Sequence, residues 1–461
     1  MVTLNELLSG VERAVPDGAR PHGAPLARCG AALAALPGVA RERPLAAFFV
    51  PGRIELFGKH TDYAGGRSLL AALERGFRLV AVPREDNLVR VRALDIGRDA
   101  LAEFPLDGNL EPRAGHWSNY PLTVARRLAR NFAAPGRPLC GADLALTSDL
   151  PPAAGLSSSS ALIVAVYLAL AEVNRLDQGE TYRAAIRSRE DLATYLACIE
   201  NGRSFGPLAG DRGVGTFGGS EDHTIILAAR EGHLSQFSFC PARHEADVAW
   251  PGGLVLAVAC SGIVAEKTGA RLADYNRLAE QARAMVEAFN EARGTVCRTL
   301  RECVEALGPQ GVPLEHFFSH LVALRRELAA LDLPGRALQF RVEDQELVPR
   351  AAAAVQRGSW RALAGAAERS HELADACLRN QTAETNGLVQ LARRCGAVAS
   401  SAFGAGFGGS VWAAVRAEEA EGFLARWQQA YGRGFPDAAG RAVFFTTRPA
   451  GAARVLLDCH V

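Results

Sequence analysis

Apolar residues fill 45–57 almost without interruption and return over 77–83 ("FRLVAVP"), so both stretches read as strands. "LVRVRAL" at 88–94 alternates with period two, and "ADLALTS" at 142–148 adds a further short strand. The apolar spacing changes to a helical one in "SNYPLTVARRLARNF" (118–132), after the serine run over 157–175, and in "YRAAIRSREDLATYLACIEN" (182–201). "GGLVLAVACSG" (252–262) reads as an apolar strand. Amphipathic helices are then expected over 271–293, 314–331, 347–379 and 385–395, and the strands "VWAAVRA" and "AVFFTTR" follow. Strands gather early and helices late, without regular βαβ alternation, which predicts an α+β protein. The turn "WPGG" at 250–253 is the expected boundary between a domain over 1–250 and another over 251–461. The longest apolar run, "ALIVAVYLALA" at 161–171, is far shorter than the ~20 residues that span a bilayer, so it reads as a buried helix.

Composition narrows the function classes. With 461 residues, 49% of them hydrophobic, the chain has enough material for two domains with cores. A formal charge of +1 leaves no basic field for nucleic acid and no polybasic tail for an anionic membrane. Ten cysteines are scattered without a C-x-x-C pair, and the N-terminal stretch lacks a charged segment followed by an apolar one. Reduced thiols in a cytoplasmic protein are the expectation. Only two of the 51 basic residues are lysines, Lys59 and Lys267. Neither stands in a Walker A frame or in the strand position of a protein-kinase lysine, so those two classes are excluded.

Three segments carry the candidate chemistry. "PGRIELFGKHTDYAGGRSLLAALERG" (51–76) collects Arg53, Glu55, Lys59, His60, Asp62 and Arg67 in a stretch that no simple strand or helix requires. "LTSDLPPAAGLSSSSALIVAVYLAL" runs from a strand through a proline-rich turn to Gly155, Leu156, Ser157, Ser158, Ser159 and Ser160, then into an apolar helix. Free N–H groups and the positive pole of the dipole at such a helix start make an anion site, and the hydroxyls can meet phosphate oxygens or a metal. The plainer alternative is a serine N-cap on a buried helix. "SAFGAGFGGSVWAAV" matches G-x-G-x-x-G at Gly404, Gly406 and Gly409, but a strand follows it where a dinucleotide fold needs a helix. Its glycines, Gly408 included, suit a close approach of backbone to ligand.

Taken in order, "GRIELFGKHTDYAGG", "PPAAGLSSSSA" and "GAGFGGS" resemble the three motifs of the GHMP small-molecule kinases, and the "HTDY-x-GG" core is similar to that of galactokinases. "GHWSNYPLTVARRL" and "LADYNRLAEQ" resemble two further galactokinase segments, near the nucleotide and near the sugar. The resemblance implies a two-domain fold. Its N-terminal domain would resemble domain 2 of ribosomal protein S5, its C-terminal domain would be ferredoxin-like, and the site would lie in the cleft between them. It further implies an ATP- and Mg²⁺-dependent sugar kinase acting on an anomeric hydroxyl, with the sugar and ATP as partners in a monomer or weak homo-oligomer.

Carried over residue by residue, the resemblance implies that the loop 155–160 cradles the triphosphate. Ser159 and Glu200 would lie on the metal, Trp117 against the base. Arg53 would face the transferring phosphoryl group, and Asp222, in "FGGSEDHTIIL", would be the carboxylate partner of the acceptor hydroxyl. His60, Asp62, Gly219 and Tyr275 would meet the sugar, and Gly404 to Gly409 would close the site. On their own, an Asp in a Gly-Ser turn and a Trp after Gly-His read as a turn residue and a core residue.

The chain also departs from that pattern. Glu55, Lys59, Ala153 and His223 stand where galactokinases usually carry Asn, Glu, Gly and Gln, and the segment from Glu200 to Asp222 is longer. Ala153 is tolerable there if its φ is negative. Two readings of Lys59 follow: it meets an anionic substituent such as a uronic-acid carboxylate, or it pairs with Glu55 or Asp62 while a neutral sugar is held by His60 and Asp62. A sugar and ATP sensor without turnover, and a diphosphate decarboxylase, are the alternatives from other classes; intact Arg53 and Asp222 disfavour the first and the "HTDY" core the second.

Overall fold

The structure, a computed structural model, describes residues 1–96, 100–113, 115–134, 136, 138–263 and 272–460. Its strands are β1 (Ala46–Phe57), β2 (Arg67–Pro83), β3 (Leu88–Ala93), β4 (Ala100–Pro105), β5 (Ala142–Ser148), β6 (His233–Ser238), β7 (Arg243–Ala249), β8 (Leu254–Cys260), β9 (Ala399–Phe403), β10 (Ser410–Arg416), β11 (Val443–Thr447) and β12 (Arg454–Leu457). The first sheet has the order β12-β1-β2-β5-β3-β4, with β6 beside β2 and β7 beside β6. The second is antiparallel, β11-β8-β10-β9. The chain is therefore α+β, as its pattern predicts. The last strand, β12, returns to the first sheet and pairs with β1.

β1 shows how the sequence positions the site. Its period of two sends Phe48, Val50, Ile54 and Leu56 into the main core, and Ala47 and Phe49 into a second core beneath the N-terminal helices. Past the register shift between Pro51 and Arg53, the positions Arg53 and Glu55 meet a cleft instead of that second core. β2 is long enough to serve two neighbours, pairing β6 through Arg67–Leu70 and β5 through Phe77–Pro83.

The loop between β1 and β2 docks on a helical lobe. Ala64 enters a cluster with Met285, Phe289, Phe318 and Phe340. The helix expected over 182–201 is two helices, Glu180–Ala185 and Arg189–Asn201, because Ser188 caps the second by accepting from the Asp191 backbone N–H at 3.1 Å. The one expected over 347–379 breaks near Gly358, whose φ is 65°, and ends in a π-helical turn, Ala374–Leu378. Among the described residues no helix is long and apolar enough to cross a membrane.

Trp412 on β10 lies fully buried in the main core, its ring 6.0 Å from that of Phe57 on β1, so it joins the two sheets. Its indole N–H finds no hydrogen-bond partner among the described residues. Trp412→Ala should therefore lower unfolding stability by about 3–5 kcal/mol in urea titrations. Trp412→Phe, which also removes the unmatched donor, should cost clearly less. Equal losses would show that ring volume alone does not hold the sheets together.

Candidate active site

Arg53 is buried where β1 meets the cleft. Its Nε and Nη2 both lie 2.8 Å from Asp222 Oδ1, and Nη1 donates to the carbonyl oxygen of Gly155 at 2.5 Å. One guanidinium thus joins an acid to the serine loop, and the Arg53 backbone N–H adds a bond to Leu156 O at 3.2 Å. Asp222 and Glu221 open the helix Glu221–Ala228, where the helix dipole favours negative charge.

Ser157 sits in the left-handed region, with φ 60°, directly before the helix Ser158–Val173. Its side chain caps nothing, and its buried hydroxyl has no partner among the described residues. The N-cap alternative is overturned: the hydroxyl is buried beside a helix start it does not satisfy. Ser160 Oγ lies 2.9 Å from Glu200 Oε2 and 3.3 Å from Asp222 Oδ2, so Ser160, rather than the expected Ser159, faces the acid pair. Ser158 and Ser159 stay half-buried in the first turn. Glu200 is also 3.3 Å from His223 Nε2. Ala153 adopts φ 48°, so the condition under which an alanine is tolerable there is not met, and this alanine takes the strained backbone that a glycine would take freely.

The glycine loop closes over this arrangement. Gly404 has φ 79°, and a Cβ there would stand 2.9 Å from Gly155 O, so only glycine lets the two loops touch. Its N–H donates to Glu55 Oε2 at 2.9 Å. Gly406 packs against Asn380, Gly408 against Ile263 and Gly409 against Ala154. Gly404 lines the cleft, whereas the other three shape the loop behind it.

The sugar-side expectations mostly converge. His60, Asp62, Gly219 and Tyr275 line the same cleft as Arg53 and Asp222. His60 Nδ1 is 3.0 Å from the Tyr63 hydroxyl and Nε2 is 3.1 Å from Ala405 O, which places the ring proton on Nε2. A Cβ at residue 219 would fall 2.2 Å from Asp62 Oδ2, so glycine is needed for the close approach. Burial raises the Tyr275 phenol well above its ordinary range.

Lys59 does not join them. Its Nζ donates to Ser370 Oγ at 2.6 Å, Ser370 donates to Glu343 Oε1 at 2.8 Å, and the same carboxylate oxygen accepts the Gly58 N–H at 2.8 Å. The reading of Lys59 as the cation for an anionic substituent is corrected, since it is 1% exposed and turned into the C-terminal helices; its charge acts on Glu55, as the other reading expects, but its direct partner is Ser370. Trp117 is half-buried ahead of the helix Asn119–Phe132, packed against the main core, and does not line the cleft. Lys267 lies outside the described residues.

The sequence reading missed Glu221, although the adjacent acids in "SED" were a visible signal. Five carboxyl groups, of Glu55, Asp62, Glu200, Glu221 and Asp222, line the cleft with Arg53. Burial pushes the Glu55 carboxyl up to about 7, against the pull of Arg53 and Lys59. Glu221 rises well above the usual carboxylate range, first through burial and then through Glu55 and Asp62. Ser68 Oγ lies 2.5 Å from its Oε2. The arrangement sets a carboxylate on Arg53 beside two carboxyl groups, of Glu55 and Glu221, whose burial favours the neutral form, with an anion-ready helix start at one wall.

Known proteins share this arrangement of segments. Residues 39–83 match the family model described as the galactokinase galactose-binding signature, 119–207 the GHMP kinases N terminal domain and 351–433 the GHMP kinases C terminal domain. A galactokinase of Chloroflexus aggregans is 30% identical over 391 residues, which are 81% of this chain and 85% of the relative. One of Roseiflexus is 29% identical over 88% of this chain and 92% of its own. The crystal structure of Lactococcus lactis galactokinase complexed with galactose superposes with a TM-score of 0.71 at 21% identity, covering 89% of this chain and 95% of that one. A mevalonate kinase structure shares the fold at a TM-score of 0.54 and 14% identity, over 88% of this chain and 99% of its own. With its fold, its ordered motifs and relatives of nearly its full length in agreement, the chain belongs to the GHMP kinase family as a galactokinase-like member.

Proposed function

We propose that the protein is an ATP- and Mg²⁺-dependent kinase that transfers the γ-phosphoryl group to the anomeric hydroxyl of galactose or a galactose-like neutral hexose. The observation that carries this reading is the Arg53 guanidinium, bonded at once to Asp222 and to the serine loop. Phosphoryl transfer asks chiefly for alignment and neutralisation of spreading charge. Asp222, paired with Arg53, accepts the hydroxyl proton as the sugar oxygen attacks the γ-phosphorus and the bond to ADP breaks. Arg53 faces the phosphoryl oxygens.

The residues present fit the nucleotide and the metal. The orphaned Ser157 hydroxyl and the open N–H groups of the first helical turn suit phosphate oxygens. Trp117, half-buried ahead of its helix, is the candidate to meet the base. Glu200 and Ser160 offer the hard oxygen donors that Mg²⁺ prefers, and Mg²⁺ held there supplies neutralisation of the phosphate charge. His60, Asp62, Gly219 and Tyr275 are the candidate sugar contacts. A neutral sugar is favoured because the Lys59 ammonium, the cation offered to a uronic acid, is engaged by Ser370.

Two tests follow. With ATP and Mg²⁺, a panel of hexoses and uronic acids read by ADP release should show turnover on galactose or a close neutral relative, and ³¹P spectra should show a sugar 1-phosphate. Asp222→Asn should cut kcat by at least ~10²-fold with the fold retained. Turnover confined to uronic acids, or an Asn variant of near-normal rate, would contradict the reading.

Glu55 offers a test by pH. Its folded pKa lies above the unfolded one, so the folded protein keeps a proton that the unfolded chain releases. Stability from this group is present below the ordinary carboxylate range and is lost as pH rises to about 7. Glu55→Gln keeps the neutral shape. Relative to wild type it should therefore gain stability between about pH 5 and about pH 8, by on the order of 1 kcal/mol per unit of pKa elevation. A difference that stays constant with pH in urea titrations would show that Glu55 is ionised throughout.

A further inference from the structure

The helix that starts at the serine loop ends at Val173, and the segment after β12 folds against that end. There Glu172 offers a carboxylate oxygen, Cys459 a buried sulfur and His460 a ring nitrogen, all within 4.8 Å of one another. His460 Nε2 lies 2.8 Å from Glu172 O and 3.7 Å from Glu172 Oε1. The His460 backbone N–H donates to Asp458 Oδ1 at 2.7 Å, which sets Asp458 beside the group, and the Asp458 carboxyl hydrogen-bonds Glu172. Two carboxyl groups thus sit together at the negative end of a 16-residue helix, where the dipole adds to their repulsion. Burial and Asp458 raise the Glu172 carboxyl, and burial with both acids pushes the Cys459 thiol up to about 11. Asp177 adds negative charge nearby, and Arg175 is a positive group that faces the cluster.

We propose that Glu172, Cys459 and His460, with Asp458 hydrogen-bonded beside them, form a binding site for one divalent transition ion of the zinc type, remote from the kinase cleft. The donor set decides the class of ion: sulfur and imidazole with carboxylate suit zinc, whereas Mg²⁺ and Ca²⁺ take oxygen alone. On binding, the Cys459 S–H bond gives its proton to solvent and the sulfur bonds the metal, so the two acids and the thiolate gain their counter-charge. The bound ion ties the segment after β12 to the helix whose other end is the serine loop.

The test uses the full chain without an affinity tag, reduced, stripped with a chelator, and titrated with Zn²⁺ against a chromophoric competitor. Wild type should take up one equivalent that Cys459→Ser and His460→Ala each bind at least ~10-fold more weakly. With Co²⁺, wild type should show a thiolate-to-metal absorption in the near ultraviolet that Cys459→Ser lacks. Glu172→Gln repeats the comparison should either of the other variants fail to fold by circular dichroism. Equal zinc uptake by wild type and variants, or no thiolate band with Co²⁺, would overturn the proposal and leave Glu172 and Asp458 as a proton-sharing pair.

Discussion

Arg53 carries a charge that a guanidinium does not give up, in a place from which water is largely excluded. Such a charge is tolerable only with a fixed partner and filled hydrogen bonds, and the surrounding structure is arranged to provide both. Asp222 supplies the counter-charge, and Gly155 O takes the remaining edge of the guanidinium. The serine loop is thereby held against β1, the glycine loop packs on the serine loop through Gly404, and Gly404 holds Glu55. Burial, and for Glu221 the nearby charges of Glu55 and Asp62, push Glu55 and Glu221 toward their neutral forms against the pull of Arg53. The cleft that results is polar, with two of its five carboxyl groups biased toward the neutral form.

A second buried cation works on the far side of the same loop. Lys59 bonds Ser370, which bonds Glu343, and Glu343 returns to the Gly58 N–H. Gln339 and Arg336 add bonds to the carbonyl oxygens of Lys59 and His60. Burial and the Lys59 charge hold His371, beside Ser370, neutral at about 4. The density of charge in residues 51–76 therefore has two causes: Arg53 and Glu55 serve the cleft, while Lys59 docks the loop onto the C-terminal helices.

The ordered motifs were legible in the sequence because each is a local device: a strand, a helix start or a glycine turn. β1, β5 and the helix after the serines fell within a residue or two of their expected limits for the same reason. What was not legible depends on partners remote in sequence. The direction of Lys59 is set by Ser370, 311 residues away, which no local pattern announces. The choice of Ser160 over Ser159 follows from the left-handed Ser157, which fixes where the helix begins and so which hydroxyl turns toward Glu200. β12 is short and half-exposed, and its place beside β1 comes from the sheet edge it covers rather than from its own residues.

If Arg53 and Asp222 organise the cleft as one unit, their energies cannot be independent. A double-mutant cycle with Arg53→Met, Asp222→Asn and both, read by urea unfolding, measures this directly. Each single change should cost about 3–5 kcal/mol, because it leaves a buried charge without its partner. The double change should cost less than the sum of the two by at least about 1 kcal/mol. Costs that add to within about 0.5 kcal/mol would contradict the account, since the guanidinium would then be held by something other than Asp222.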